Sequence, residues 1–301
     1  MNSEIWPDGR GLVVSLVVNV EEGAQMSPQE GDSGAEPVDE LGVVVGGGRP
    51  NLANDTNYRY GLNEGFTRVA SVLESTGVSA TWTCAATALE RSPEIAEFIR
   101  SRGDEAACHG LRWVHQFRMS EDAERQFIAQ AATSIEATCG ERPAGYLARY
   151  LFTSSTRQIL ADEGFLYDMD DYSSDSPFWD LTTNPPIVIV PYAIDTNDMK
   201  MWTAPSYTPD AWRKYLEDTL DVLLREGSTR PVMMSVGVHL RVVGRPGRIA
   251  AWRAFVEQLV ARGVAVARRA DIAARFRELY PLAVDPAGPR TVAINQTPPG
   301  I

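Results

Sequence analysis

The chain holds three histidines in 301 residues, and two of them close short runs of the kind that make strands. His109 follows Glu105-Ala106-Ala107-Cys108, and His239 comes just after Val232–Val236. Glu21 and Glu22 stand in the same way after the apolar run Leu12–Val18, with Asn19 between. Arg149 lies past Gly145-Tyr146, and Asp195, Asn197 and Asp198 lie past Ile187–Val190. In folds of alternating strands and helices, the side chains at strand C-termini converge on one mouth. Carboxylates and imidazoles meeting there suit hydrolysis by general acid–base catalysis, in which Glu21 or Glu22 assists an attacking water and His239 or His109 protonates the leaving atom. Arg112, Arg149 or backbone donors would stabilise the oxyanion, and Arg241 would orient a substrate carbonyl or carboxylate. Trp113, Trp179 and Tyr192 would wall a pocket in which a small flat ring can stack.

Each feature has a plainer reading. A single histidine is as readily a hydrogen-bonded core residue, so the weight rests on two of three falling on one rim beside carboxylates. Glu21 and Glu22 are neighbours on an extended backbone and face opposite ways, which lets at most one into the mouth. Arginines on an acidic chain also serve as surface ion-pair partners, and His115 reads as a loop residue. Competing chemistries are absent: there is no G-x-x-x-x-G-K-[ST] loop and no G-x-S-x-G elbow. Gly46-Gly47-Gly48 sits in a polar stretch rather than between strand and helix, and Cys108 faces away from His109, into the core.

The elements that must position these groups alternate along the whole chain. Strands are expected at Leu12–Val18, Ser79–Cys84, Glu105–Cys108, Gly145–Tyr146, Phe165–Tyr167, Ile187–Val190, Val232–Val236 and Val264–Val266. Between them run amphipathic segments with start signals such as Ser92-Pro93-Glu94 and Thr208-Pro209-Asp210 and stops such as Gly77, Gly103 and Gly140. Seven or eight β-then-α units without a composition break make one domain, residues 1–280, and fit a barrel better than a doubly wound sheet. The polar stretch 22–58 is too long for a plain connector and reads as an active-site loop or lid. Residues 281–301 read as an extended or disordered tail.

Composition narrows the partners. Asp and Glu number 40 against 28 Lys and Arg, a net charge of −12, which repels phosphate backbones and excludes nucleic acid as a default partner. Three scattered cysteines, no signal-like start and no membrane-length apolar run give the expectation of a cytoplasmic protein acting on a small molecule, away from membranes.

Several runs together resemble the polysaccharide-deacetylase (NodB-homology) family. They are Val18-Asn19-Val20-Glu21-Glu22-Gly23, Cys108-His109-Gly110-Leu111-Arg112-Trp113, Arg142-Pro143-Ala144-Gly145, Leu166-Tyr167-Asp168, Pro191-Tyr192, Asp195-Thr196-Asn197-Asp198-Met199 and Gly237-Val238-His239-Leu240-Arg241, with Gly244-Arg245-Pro246-Gly247-Arg248 after it. The likeness is nearest to the branch with cofactor-independent allantoinases and cyclic imidases. It implies a distorted (β/α)7-8 barrel, hydrolysis of non-peptide C–N bonds and a homo-oligomer, a tetramer above all. It puts His239 at the general acid and Arg142 at the residue steadying the base. The family's Asp-Asp-Gly is here Glu21-Glu22-Gly23, and its His-x-x-x-His keeps His109 but has Trp113 in the second position. Glu22 and His109 are the residues left to ligate a divalent cation such as Zn2+, where a catalytic zinc expects three protein ligands, so no cofactor is assigned. The expected reaction is opening of a small cyclic imide or ureide. Its alternatives are metal-dependent N-deacetylation of an amino sugar, with His115 as a further ligand, and a non-catalytic binding role.

Overall fold

The structure is a computed structural model that describes residues 4–43, 45–203, 205–284 and 291–293. In chain order the elements are β1 (Gly11–Val20), α1 (Leu52–Tyr60), a π turn (Gly61–Gly65), α2 (Phe66–Thr76), β2 (Thr81–Cys84), α3 (Ala86–Arg91), α4 (Pro93–Arg102), β3 (Glu105–Cys108), α5 (Glu121–Cys139), β4 (Gly145–Tyr146), α6 (Thr156–Asp162), β5 (Tyr167–Asp168), β6 (Phe178–Asp180) and β7 (Ile187–Ile189). There follow α7 (Pro209–Glu226), β8 (Pro231–His239), α8 (Leu240–Val243), α9 (Pro246–Ala261), β9 (Ala265–Val266), α10 (Arg269–Leu279), β10 (Leu282–Val284) and β11 (Thr291–Ala293). No described helix is long and apolar enough to cross a membrane.

The expected distorted barrel is present as a sheet curled into a half-barrel, ordered β6-β7-β5-β4-β3-β2-β1-β8, with β9 paired to the start of β1. All ladders in it are parallel except that of β6 on β7. The period-2 geometry of β1 divides the core. Leu12, Val14, Leu16, Val18 and Val20 pack outward against the helices, and Val13 and Val17 pack inward with Trp6, Tyr167, Met169, Val188 and Met233. Being buried on both faces is why β1 reads as one continuous apolar run. Its ladder with β8 runs from Gly11↔Pro231 to Asn19↔His239, which sets the end of β8 level with the end of β1. Across the open side, Arg269 donates from Nη1 to Ser235 Oγ on β8 at 2.8 Å, while its Nη2 bonds the carbonyls of Val190 and Pro191 beyond β7.

The long loop is shorter than its composition indicates. Its last residues form α1, capped by the Asn51 side chain accepting from Asn54 N–H, with Asn54 and Tyr58 buried four apart on one face. That face is polar or amphipathic, so apolar periodicity did not reveal the helix. The short elements α3, β6 and α8 were also silent, since three to six residues carry too little pattern. Within the segment expected to be an extended or disordered tail, β10 and β11 form an antiparallel pair, and the rest of it beyond Val284 lies outside the described residues.

Candidate active site

The inner row of β1 continues past its end, so Glu21 points into the mouth and Glu22 points to the helices. Both are buried. Glu21 Oε2 accepts from Arg241 Nη1 at 2.7 Å, and its Oε1 lies 3.5 Å from His109 Nε2 and 3.4 Å from His239 Nε2. Burial alone would raise this carboxyl, but the charges of Arg241 and His239 outweigh it and hold Glu21 well below the usual carboxylate range.

Glu22 does a structural task. Its carboxylate accepts from the Glu21 N–H at 3.1 Å and the Arg241 N–H at 3.2 Å, tying the end of β1 to the start of α8. The π turn presses directly on it: a Cβ at Gly61 would lie 2.5 Å from Glu22 Oε1. Burial, reinforced by the neighbouring Glu21 charge, raises the Glu22 carboxyl despite Arg241.

His239 ends β8 and turns Nδ1 to Asp198 Oδ1 at 2.7 Å. The other oxygen of Asp198 accepts the backbone N–H groups of His239 at 2.8 Å and Val243 at 3.0 Å, so Asp198 holds the ring rather than lining the cavity. Burial works against a charge on this imidazole, yet Glu21 and Asp198 outweigh it and push its pKa up to about 10. His239 is therefore an imidazolium at neutral pH, with Nε2–H beside Glu21.

His109 is held differently. Its Nδ1 lies 2.6 Å from the Leu147 carbonyl and can only donate there, which leaves Nε2 to accept the Trp113 indole N–H at 3.1 Å. The tautomer follows from these partners. The ring is a neutral neighbour of Glu21, its outer lone pair already used.

These groups floor a cavity of about 480 Å3 lined by Asn19, Glu21, His109, Arg149, Tyr192, Asn197 and His239, with Leu147, Tyr150, Tyr172, Met199, Lys200 and Trp202 among its walls. Of the residues singled out by sequence, the structure gathers Glu21, His109, Arg149, Tyr192, Asn197 and His239 around this space, with Glu22, Trp113, Asp198 and Arg241 directly behind it. Arg241 belongs to Glu21 and to the ring of Tyr58, 4.2 Å from its centroid. The Nη groups of Arg149 are committed: buried, it pairs through them with both oxygens of Glu36 from the long loop, donates to the Trp113 carbonyl and lies 3.8 Å over the Trp113 ring, while its buried Nε–H has no partner among the described residues. Arg112 likewise clamps Asp32 and the Gln25 carbonyl, fixing the loop from outside.

Two expected residues lie elsewhere. Arg142 precedes β4, on the rim opposite the strand C-termini, and pairs half-exposed with Glu163; Arg241 stands beside Glu21 instead. Trp179, on the antiparallel β6, donates to the Tyr280 carbonyl and packs against Phe276, away from the cavity. Glu36, Tyr58, Tyr150, Tyr172, Lys200 and Trp202 were not expected. None carries a periodic or spacing signal, and only Tyr150 is marked locally by a strained backbone, with φ of 56°.

A metal held by a carboxylate and two imidazoles does not fit these residues. Trp113 occupies His109 Nε2, Glu22 is spent on two backbone N–H groups, and His115 packs edge-on to Phe117. Among the described residues no group of three or more His, Cys, Asp or Glu is arranged to hold a metal ion.

Comparison with known proteins agrees with this architecture. A family model for polysaccharide deacetylase matches residues 53–167. A Schizosaccharomyces pombe protein named as a polysaccharide deacetylase is 30% identical, covering 92% of this chain and 93% of its own length. Among solved structures, an allantoinase superposes with a TM-score of 0.86 at 33% identity, over 92% of this chain and 94% of that one. A Pseudomonas aeruginosa PAO1 protein named as a polysaccharide deacetylase gives 0.87 at 33% identity, over 92% and 95%.

Proposed function

This chain belongs to the polysaccharide deacetylase family, a family of hydrolases, and from that premise we propose that it opens a small cyclic amide, an imide or ureide, by direct attack of water. One observation carries the reading: a buried carboxylate, Glu21, lies 3.4 Å from an imidazolium, His239, at the floor of a cavity of about 480 Å3. That volume suits a small ring, within the range of ordinary ligand pockets. The similarity to an allantoinase supports a ureide among the candidates.

Glu21 orients the water and takes a proton from it as the oxygen attacks the ring carbonyl. Its low proton affinity makes it a weak base, so its effect comes chiefly from position. His239 gives its Nε2 proton to the ring nitrogen as the C–N bond breaks, and Asp198 keeps the ring oriented and charged beforehand. The proton gained by Glu21 then returns to His239, 3.4 Å away, and restores the starting state. His109, with both nitrogens engaged, shapes the floor and passes no proton.

The alternative, metal-dependent N-deacetylation, needs a ligand set that the residues do not supply. The deciding experiment offers hydantoin, dihydrouracil, succinimide, allantoin and acetylated chito-oligomers to metal-free and zinc-loaded protein. Ring opening without metal is expected. Faster acetate release that depends on zinc would overturn the proposal.

A further inference from the structure

Hydrolysis of any amide passes through a tetrahedral oxyanion, and both arginines that could have met it here have their Nη groups committed to carboxylates. Tyr192 is placed to take that task. Its Oη accepts a hydrogen bond from Asn19 Nδ2 at 3.1 Å and another from Asn197 Nδ2 at 3.0 Å. Neither amide can be reversed. Asn19 Oδ1 accepts from Thr83 Oγ1 at 2.7 Å while its Nδ2 also donates to the Val238 carbonyl at 3.1 Å. Asn197 Oδ1 accepts the Met199 N–H at 2.9 Å. With two donors already on the phenol oxygen, its own hydrogen needs an acceptor elsewhere, and no described residue provides one.

Tyr192 lines the cavity together with Glu21 and His239. The chain makes room for it at Gly237 on β8, where any Cβ would run into the Tyr192 hydroxyl. A phenol whose oxygen is fixed by two amides has lost its rotational freedom, and such preorganised donors stabilise developing charge without reorganisation. We propose that Tyr192 is a catalytic residue: its O–H donates to the carbonyl oxygen of the bound amide and to the oxyanion that forms there.

The inference rests on the reading of the cavity as an amide-hydrolysing site, but it does not depend on which amide. Tyr192→Phe is assayed on whichever amide of the screen above the wild type cleaves, ring or N-acetyl. Its kcat should fall by about 100- to 1000-fold, the weight of one oxyanion donor, with KM nearly unchanged. Replacement by 3-fluorotyrosine keeps the shape and makes a stronger donor, so kcat at pH 6 should rise, a response that packing alone would not give. Unchanged kcat in Tyr192→Phe, or no rise with the fluorinated phenol, would overturn the assignment even where ring opening holds. Cleavage of N-acetyl groups with loss of rate in Tyr192→Phe would sink the cyclic-amide reading and keep Tyr192. Turnover of neither class would overturn both.

Discussion

Asp198→Asn should lower the proton affinity of His239 by an amount that can be read without a substrate. In the wild type the imidazolium lies 2.7 Å from Asp198 and 3.4 Å from Glu21, and together they carry its pKa from 6.5 to about 10 against burial. At 1.36 kcal/mol per unit, that is roughly 5 kcal/mol of preference for the charged ring. One close opposite charge is worth about 1–3 units, so the substitution should bring His239 down by roughly 1–3 units. Hydrogen bonding pushes the same way. The oxygen that accepts the His239 and Val243 N–H groups must stay an oxygen, which turns the new amide nitrogen toward Nδ1 and favours a neutral ring with its proton on Nε2. The chain has three histidines, so 15N-histidine NMR resolves each one, with His109→Gln and His115→Gln for assignment. One imidazole should hold its proton up to about pH 10 in the wild type and release it markedly earlier in Asp198→Asn. A native His239 that titrates near 6.5, or one that ignores the substitution, would refute the imidazolium and the acid role built on it. The same shift has a stability consequence: because the folded value is raised, the stabilisation is fully present below about pH 6.5 and is lost as pH rises through about 10.

Other outcomes follow from single contacts. Glu21→Gln should cut turnover by about 100-fold or more on the substrate that the screen identifies, since the amide cannot take the proton of water; activity within a few fold of wild type would remove Glu21 from the chemistry. Arg149→Leu leaves Glu36 buried and unpaired and should cost about 3–5 kcal/mol in urea unfolding, with Arg149→Leu/Glu36→Leu recovering much of it. Gly237→Ala should lower kcat on the substrate that the screen identifies while the protein stays folded, because the added methyl displaces the Tyr192 hydroxyl; an unchanged kcat would show that the phenol is not held where the oxyanion forms.

Much of this site was legible in the chain. The continuous apolar run Leu12–Val18 marked a strand buried on both faces, and the period of two along an extended backbone stated that at most one of Glu21 and Glu22 could enter the mouth. The ends of β1, β3 and β8 came from runs of four or more residues, and they placed Glu21, His109 and His239 on one rim. Strand periodicity is local, so the sequence carries it in plain view.

What it could not carry was the pairing of charges. Arg241 reaches Glu21 across 220 positions and Arg149 reaches Glu36 across 113, and both partnerships depend on the β1–β8 register and the path of the long loop. For that reason Arg149 and Arg241 looked like free donors, and Arg142 looked like a neighbour of the base. Which glutamate faced inward was settled by the phase of β1 in the folded sheet, with Val13 and Val17 inside and the π turn and α8 closing over Glu22, and the engagement of His109 Nε2 by an indole placed four residues on by a turn of the loop. Spacing along the chain fixes which residues share a strand end. Their protonation states are set by what burial takes away and what distant partners supply, and those are properties of the folded interior.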